Sequence, residues 1–199
     1  MWMWKYQRPR WVLRWFTQKE IMSKILAFGA SSSNNSINKK LASFVVNKIA
    51  PQEAILIDLN DYEMPIYSDD RKRIDGIPEK AYEFKNLIKA SDGIVISLAE
   101  HNGSYTAAFK NIYDWISVIE EIVWNYKPIL LLSASNGSRG GKSVMNAALS
   151  RFSQQSEYEI PNFSLPKFEE NFSDKEGITN KKLIGLLDEQ IKIFLQQIT

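Results

Sequence analysis

The sequence predicts an α/β fold: one parallel sheet with helices on both faces. Two observations carry this. Short apolar runs alternate with segments whose apolar residues recur at helical spacing, five times in succession. The strand-like runs are also apolar throughout instead of alternating, as expected when both sheet faces are covered.

The first strand is expected over 25–28 (ILAF), bounded by Gly29. A loop of small polar residues over 29–38 follows. Ile37, Leu41, Phe44, Val45 and Ile49 then mark one buried helix face, with Asn35 or Ser36 as N-cap. The second strand is expected over 54–58. The loop over 59–77 is long and mixed, a length that usually signals function. Pro78 opens a helix carrying Ala81, Phe84, Leu87 and Ile88, and the third strand covers 94–98. A polar loop over 99–105 leads to a helix over about 106–119. Pro128 introduces the most apolar strand, 129–132; the loop 133–141 and a helix over about 142–154 follow. A weaker strand near 158–165 and a helix over about 179–197 close the chain.

At 199 residues the chain supports one domain with a real core. It has no Cys, which removes disulfides, thiolate metal sites and thiol nucleophiles, and its single His101 excludes His-rich metal ligation. The cytoplasm is the default location. The net charge of +2 is unevenly spread: residues 1–21 carry a net +4 and the other 178 a net −2. The body is therefore not a nucleic-acid binder. Residues 1–21, with four of the six tryptophans, are read as a dispensable extension before a domain over 22–199, Met22 being the natural start. Arg10 and Arg14 break up any signal-peptide core, and membrane-surface contact by this peptide is the lesser expectation.

In an open parallel sheet, ligands sit beyond the carboxyl ends of the strands. The loops 29–38, 99–105 and 133–141 all follow strands and should meet there. They hold few catalytic groups: no paired acids, no HExxH, no GxSxG. What they offer is small side chains, backbone donors and a helix N-terminus, which together suit a flat phosphorylated ligand that carries the reactivity itself.

Three motifs, GASSSNNSINKKLA, AEHNGSYTAAFKNIYDW and KPILLLSASNGSRGGK, stand in this order after strands one, three and four. With the tail PKFEENFSDKEGITNKKL they resemble the NAD(P)H-dependent FMN reductase family of the flavodoxin-like fold, from Ser23 almost to the end. The resemblance implies a three-layer fold with strand order 2-1-3-4-5. It implies FMN as cofactor and NADPH or NADH as co-substrate, with a small-molecule electron acceptor. It places the FMN phosphate at Ser31, Ser36, Ile37 and Asn38. Ala99, Glu100, His101, Asn102, Gly103 and Ser104 should border the isoalloxazine, and Ser135, Asn136, Gly137 and Gly140 should contact it from the other side. Lys110, Asn111, Asp114 and Trp115 read as structural or interfacial, Trp115 mainly as core. A homodimer or dimer of dimers is implied, with loop 59–77 and helix 106–119 near the interface.

The sequence departs from the family in the first loop, where Ser31-Ser32-Ser33 replaces the usual Arg and the gap from Gly29 to Ser36 is one residue longer. A lost charge-assisted bond costs about 1.5–3 kcal/mol, roughly ten- to a hundred-fold in affinity. Ala99 and His101 stand where the family has Pro and Tyr. His101 is either a proton donor or the filler of the aromatic slot, the second being favoured. The GKS at 141–143 imitates a Walker A loop, but only three residues separate Gly137 from Gly141. Two alternatives stay open: a non-enzymatic electron carrier or flavin-binding partner protein, and a site for another phosphorylated ligand.

Overall fold

The computed structural model describes residues 23–49 and 54–198. The predicted extension over 1–21 lies outside the described residues.

Five parallel strands form the sheet: β1 (Ile25–Ala30), β2 (Ala54–Ile57), β3 (Gly93–Leu98), β4 (Ile129–Ala134) and β5 (Asn162–Leu165). Their order is 2-1-3-4-5. β1, β3 and β4 are buried along their whole length, which explains their continuous apolar runs. Among the described residues seven helices accompany them: α1 (Ile37–Ile49), α2 (Asp69–Asp75), α3 (Glu79–Ala90), α4 (Ala107–Ser117), α5 (Lys142–Phe152), α6 (Phe168–Asn171) and α7 (Lys181–Gln197).

The alternation of side chains along each strand divides the core in two. Leu26, Phe28, Ile94, Ile96 and Leu131 pack against α3, α4 and α5 through Phe84, Phe109, Trp115 and Met145. Ile25, Ala27, Val95, Leu130 and Leu132 pack against α1 and α7 through Leu41, Val45, Leu187 and Phe194. The layers are those of a flavodoxin-like fold. No helix among the described residues is long and apolar enough to cross a membrane.

Three elements differ from expectation. β1 runs on through Gly29 and Ala30, because Ser97 and Leu98 of β3 continue the ladder beside them. β5 starts only at Asn162. The segment before it turns at Ser156, whose Oγ accepts from Tyr158 N, and Pro161 brings no N–H. The expected loop over 59–77 contains a 3₁₀ turn (Leu59–Tyr62) and α2. Ser68 caps α2 by accepting from Arg71 N, and Gly76 ends it at φ 80°. The rest of this connection is pinned to α4. Asn111 accepts from Tyr67 N (2.8 Å) and donates to Met64 O (3.0 Å), and Trp115 Nε1 donates to Pro65 O (2.7 Å). Trp115 is buried, as expected.

Candidate cofactor site at the strand ends

The first loop is built on a close approach. A Cβ at Gly29 would lie 2.4 Å from the backbone nitrogen of Lys39, so only glycine lets the start of α1 touch β1 here. The chain then turns tightly. Ser31 N donates to Gly29 O (2.8 Å), and Ser31 Oγ accepts from Ser33 N (3.1 Å). Ser36 is the N-cap of α1: its Oγ accepts from Lys39 N (3.2 Å), and its carbonyl accepts from Lys40 N. The N–H groups of Ile37 and Asn38 have no acceptor within the helix and stand at its positive end.

Asn38 is placed differently from expectation. Its side chain is buried, with Oδ1 accepting from Ser97 Oγ (2.8 Å) and Ala134 N (2.9 Å). Its Nδ2 donates to Ala134 O (3.2 Å). The amide thus ties α1 to β3 and β4. Thr106 makes a similar tie: its Oγ1 donates to Ala30 O (3.0 Å) and caps α4 by accepting from Phe109 N.

The second loop is a small hairpin. Glu100–His101 pairs antiparallel with Ser104–Tyr105. The turn between them places Asn102 at φ 51° and Gly103 at φ 78°, the two positive values of a type I′ turn. Sequence reading treated this stretch as a loop, although its Asn-Gly pair is a hairpin signal. The Glu100 carboxylate faces the first turn of α5, where one oxygen accepts from Ser143 N (2.9 Å) and Val144 N (3.0 Å). That carboxylate fills the helix N-terminus that the GKS stretch would need for a phosphate.

The third loop is fixed to the segment after β5. Lys167 N donates to Gly137 O (3.0 Å), Phe168 N to Ser135 O (3.1 Å), and Asn136 Nδ2 to Glu169 Oε1 (2.9 Å). Gly140, expected at the flavin, is buried instead. It sits at φ 61°, where a Cβ would lie 2.8 Å from Pro166 N, and its carbonyl accepts from Ser133 Oγ (2.7 Å). Its role is the close passage past β5.

The three loops close around one cavity of ≈260 Å³. Of the expected residues, Ser31, Ser36, Ile37, Asn38, Ala99, Glu100, His101, Ser135 and Asn136 line it, and Ser33 and Asn35 join them. Asn102, Gly103, Ser104, Gly137 and Gly140 are not on its wall. His101 is exposed at the edge. Glu100 is the one acid on the wall, its carboxylate already paired with two N–H donors, and no Lys or Arg contributes. Hydroxyls, amides and a helix N-terminus on a wall without Lys or Arg, its one carboxylate already paired, fit the phosphate of FMN, with the ring-side loops small enough to admit a flat group.

Residues 23–170 match the family model described as NADPH-dependent FMN reductase. An NADPH azoreductase from a Bacillus species is 35% identical over 104 residues, covering 52% of this chain and 56% of that protein. A quinone reductase from Escherichia coli is 32% identical over 79 residues, covering 40% and 42%. The chain thus spans about half the length of the curated relatives it matches. Among solved structures, the flavoenzyme NAD(P)H:(acceptor) oxidoreductase FerB from Paracoccus denitrificans superposes with a TM-score of 0.67 at 22% identity, covering 88% of this chain and 98% of that one. The apo form of the NADH:FMN oxidoreductase EMOB gives a TM-score of 0.67 at 19% identity, with coverages of 88% and 90%.

Proposed function

The chain belongs to the NADPH-dependent FMN reductase family, and from that premise we propose that it passes two electrons from NADPH or NADH, by way of bound FMN, to a small-molecule acceptor. The observation that carries the proposal is the meeting of three strand-end loops around one cavity whose inner end is the N-terminus of α1. Ser31, Ser33 and Ser36 and the N–H groups of Ile37 and Asn38 would hold the phosphate. The hairpin over 100–105 and the residues Ser135 and Asn136 would flank the ring.

When bound, FMN supplies the redox chemistry, taking two electrons from the nicotinamide and handing them on. The protein's part is to orient and to shelter. The helix end and the hydroxyls oppose the phosphate charge, doing the work of the family's Arg without a cation. Glu100 holds the hairpin against α5 so that its backbone keeps its place. We assign His101 to the wall and not to proton donation, since no side-chain hydrogen bond fixes its tautomer. The domain is taken as 22–199 and its setting as the cytoplasm.

A homodimer is part of the proposal. Ile66 and Ile74 expose 76% and 71% of their surface along the connection over 59–77. A groove of ≈430 Å³ lies between that connection and the start of α4. This concave face, with the exposed side chain of Ile66 on its wall, supports pairing with a second copy.

The test is direct. The purified protein is examined for a bound chromophore, titrated with FMN, and assayed for oxidation of each nicotinamide with a quinone present. One equivalent of FMN per chain and quinone-dependent turnover are expected. Flavin fluorescence that stays unchanged at high micromolar protein would sink the proposal. Flavin that binds but is not reduced by either nicotinamide would leave an electron carrier.

A further inference from the structure

Two Asn-Gly pairs occur in the chain, Asn102-Gly103 and Asn136-Gly137, and both lie in loops beside the strand-end cavity. At such a pair the asparagine amide is open to attack by its own backbone, because the next residue has no Cβ to shield its nitrogen. The two pairs are held very differently.

Asn136 is clamped. Its Nδ2 donates to Glu169 Oε1 (2.9 Å), and the Gly137 carbonyl accepts from Lys167 N (3.0 Å) and Gly140 N (3.4 Å). Any reaction between side chain and backbone there must first break these bonds. Asn102 is exposed, and its side chain has no hydrogen-bond partner among the described residues. A Cβ on Gly103 would meet only Ser143 Cβ, at 3.9 Å, so the pair is unobstructed. The turn holds Asn102 at φ 51°, and the arms of its hairpin are two residues long. A turn on so short a ladder opens at little cost, which lets Asn102 rotate into the reacting geometry.

We propose that Asn102 is a site of spontaneous deamidation in the folded protein, and that the product loosens the hairpin from α5. The Gly103 nitrogen attacks Asn102 Cγ. The N–Cγ bond forms, the Cγ–Nδ2 bond breaks, and the amide leaves as ammonia with the proton from Gly103 N. Water then opens the cyclic imide at either carbonyl, giving aspartate or isoaspartate, with nothing oxidised or reduced. Isoaspartate routes the main chain through its side-chain carbons and so lengthens it. A two-residue turn cannot absorb that length while Glu100 faces Tyr105 and His101 faces Ser104. Either product also adds a negative charge near Glu100, whose carboxylate grips Ser143 N and Val144 N.

The test uses the full chain at a warm, mildly alkaline pH, with a second sample in denaturant as reference. Peptide mass spectrometry follows the gain of about 1 Da at each converted residue. In denaturant the two pairs should convert at similar rates. In the folded protein Asn102 should convert at least about tenfold faster than Asn136, a factor set by the bonds that Asn136 must first break. Glu169→Ala, which removes the acceptor of Asn136 Nδ2, should narrow that ratio. Hydrogen exchange then reads the hairpin: the Ser143 and Val144 amides should exchange faster in converted protein. Asn102→Gly, which suits the turn and lacks the amide, should age without that change. Equal conversion at the two folded sites, or an intact Asn102 once the denatured sample has converted, overturns the modification. Unchanged exchange at Ser143 and Val144, or equal acceleration in aged Asn102→Gly, overturns the loosening. Neither readout needs bound flavin, so both stand apart from the reductase reading.

Discussion

Asn38 Oδ1 accepts a 2.8 Å hydrogen bond from Ser97 Oγ, joining the first turn of α1 to the middle strand of the sheet. With the two bonds to Ala134, this amide satisfies three polar groups that water cannot reach. Replacing it by Ala leaves those groups unpaired, at a cost of about 2–4 kcal/mol. At this chain length Asn38→Ala is expected to lower the melting temperature of flavin-free protein by about 5–10 °C. Ser36→Ala, which removes one cap, should cost only about 1 kcal/mol. An unmoved melting temperature with loosened FMN would show that Asn38 serves the ligand and not the fold.

Ser32 and Ser33 are adjacent in sequence but face different cavities. Ser33 lines the strand-end cavity, whereas Ser32 borders the groove beside α4. Ser33→Arg should return a cation to the phosphate and tighten FMN by roughly tenfold or more, as a charge-assisted bond does. Ser32→Arg should leave FMN affinity nearly unchanged. Fluorescence titration of both variants decides it, and the reverse ranking would mean that the loop follows another path when loaded.

Glu120 has its carboxyl held down to about 2, first by Lys89, then by Asn125 and Lys85. Lys85 is itself buried, donating to Ile122 O (2.9 Å) and Val123 O (2.7 Å), and burial pushes its ammonium pKa down. A carboxyl whose folded pKa lies below its unfolded value stabilises the fold above the unfolded pKa. That contribution is lost as pH falls through the folded value. The window runs from about 4.5, the ordinary value, down to about 2. Glu120→Gln should therefore lose less stability than the parent between pH 5 and pH 3, measured by thermal melts in matched salt. Parallel curves for the two proteins would contradict this.

Among the described residues, the first strand is tied in from its start. Lys24 N donates to Asp92 Oδ2 (2.8 Å), and β1 pairs on both sides from Ile25 onward. Protein begun at Met22 is expected to fold, to bind FMN and to oxidise nicotinamide as the full chain does. Its isoelectric point should move to the acidic side, because residues 1–21 carry a net +4. Loss of flavin, or a melting temperature lower by about 4 °C or more, would show that the domain includes those residues.

The sheet was legible because four of its five strands are mainly apolar and followed by polar residues, whereas β5 alternates. The order of the loops around the site followed from the same pattern. α2 was not legible from periodicity, since none of its residues is buried and it carries no apolar stripe. Its signs were at the ends instead: Ser68 as cap, two Asp in the first turn, Gly76 as stop. The hairpin over 100–105 announced itself through Asn102-Gly103, but each arm is only two residues long. The direction of polar side chains was the least legible property. Asn38 and Ala134 lie 96 residues apart, and only the assembled sheet brings them together. For the same reason the sequence did not show that Glu100 also holds the start of α5, or that Gly140 passes close to the end of β5.

The contact at Gly29 has a kinetic meaning. With the start of α1 seated on β1 and locked by Asn38, the inner end of the cavity cannot open unless the core opens too. The hairpin over 100–105 is held differently, by the Glu100 carboxylate on α5, with its tip in solvent. A molecule in the cavity therefore leaves past the hairpin. Loosening that carboxylate from Ser143 and Val144 is therefore expected to shorten the stay of a bound molecule more than changes in the phosphate loop do.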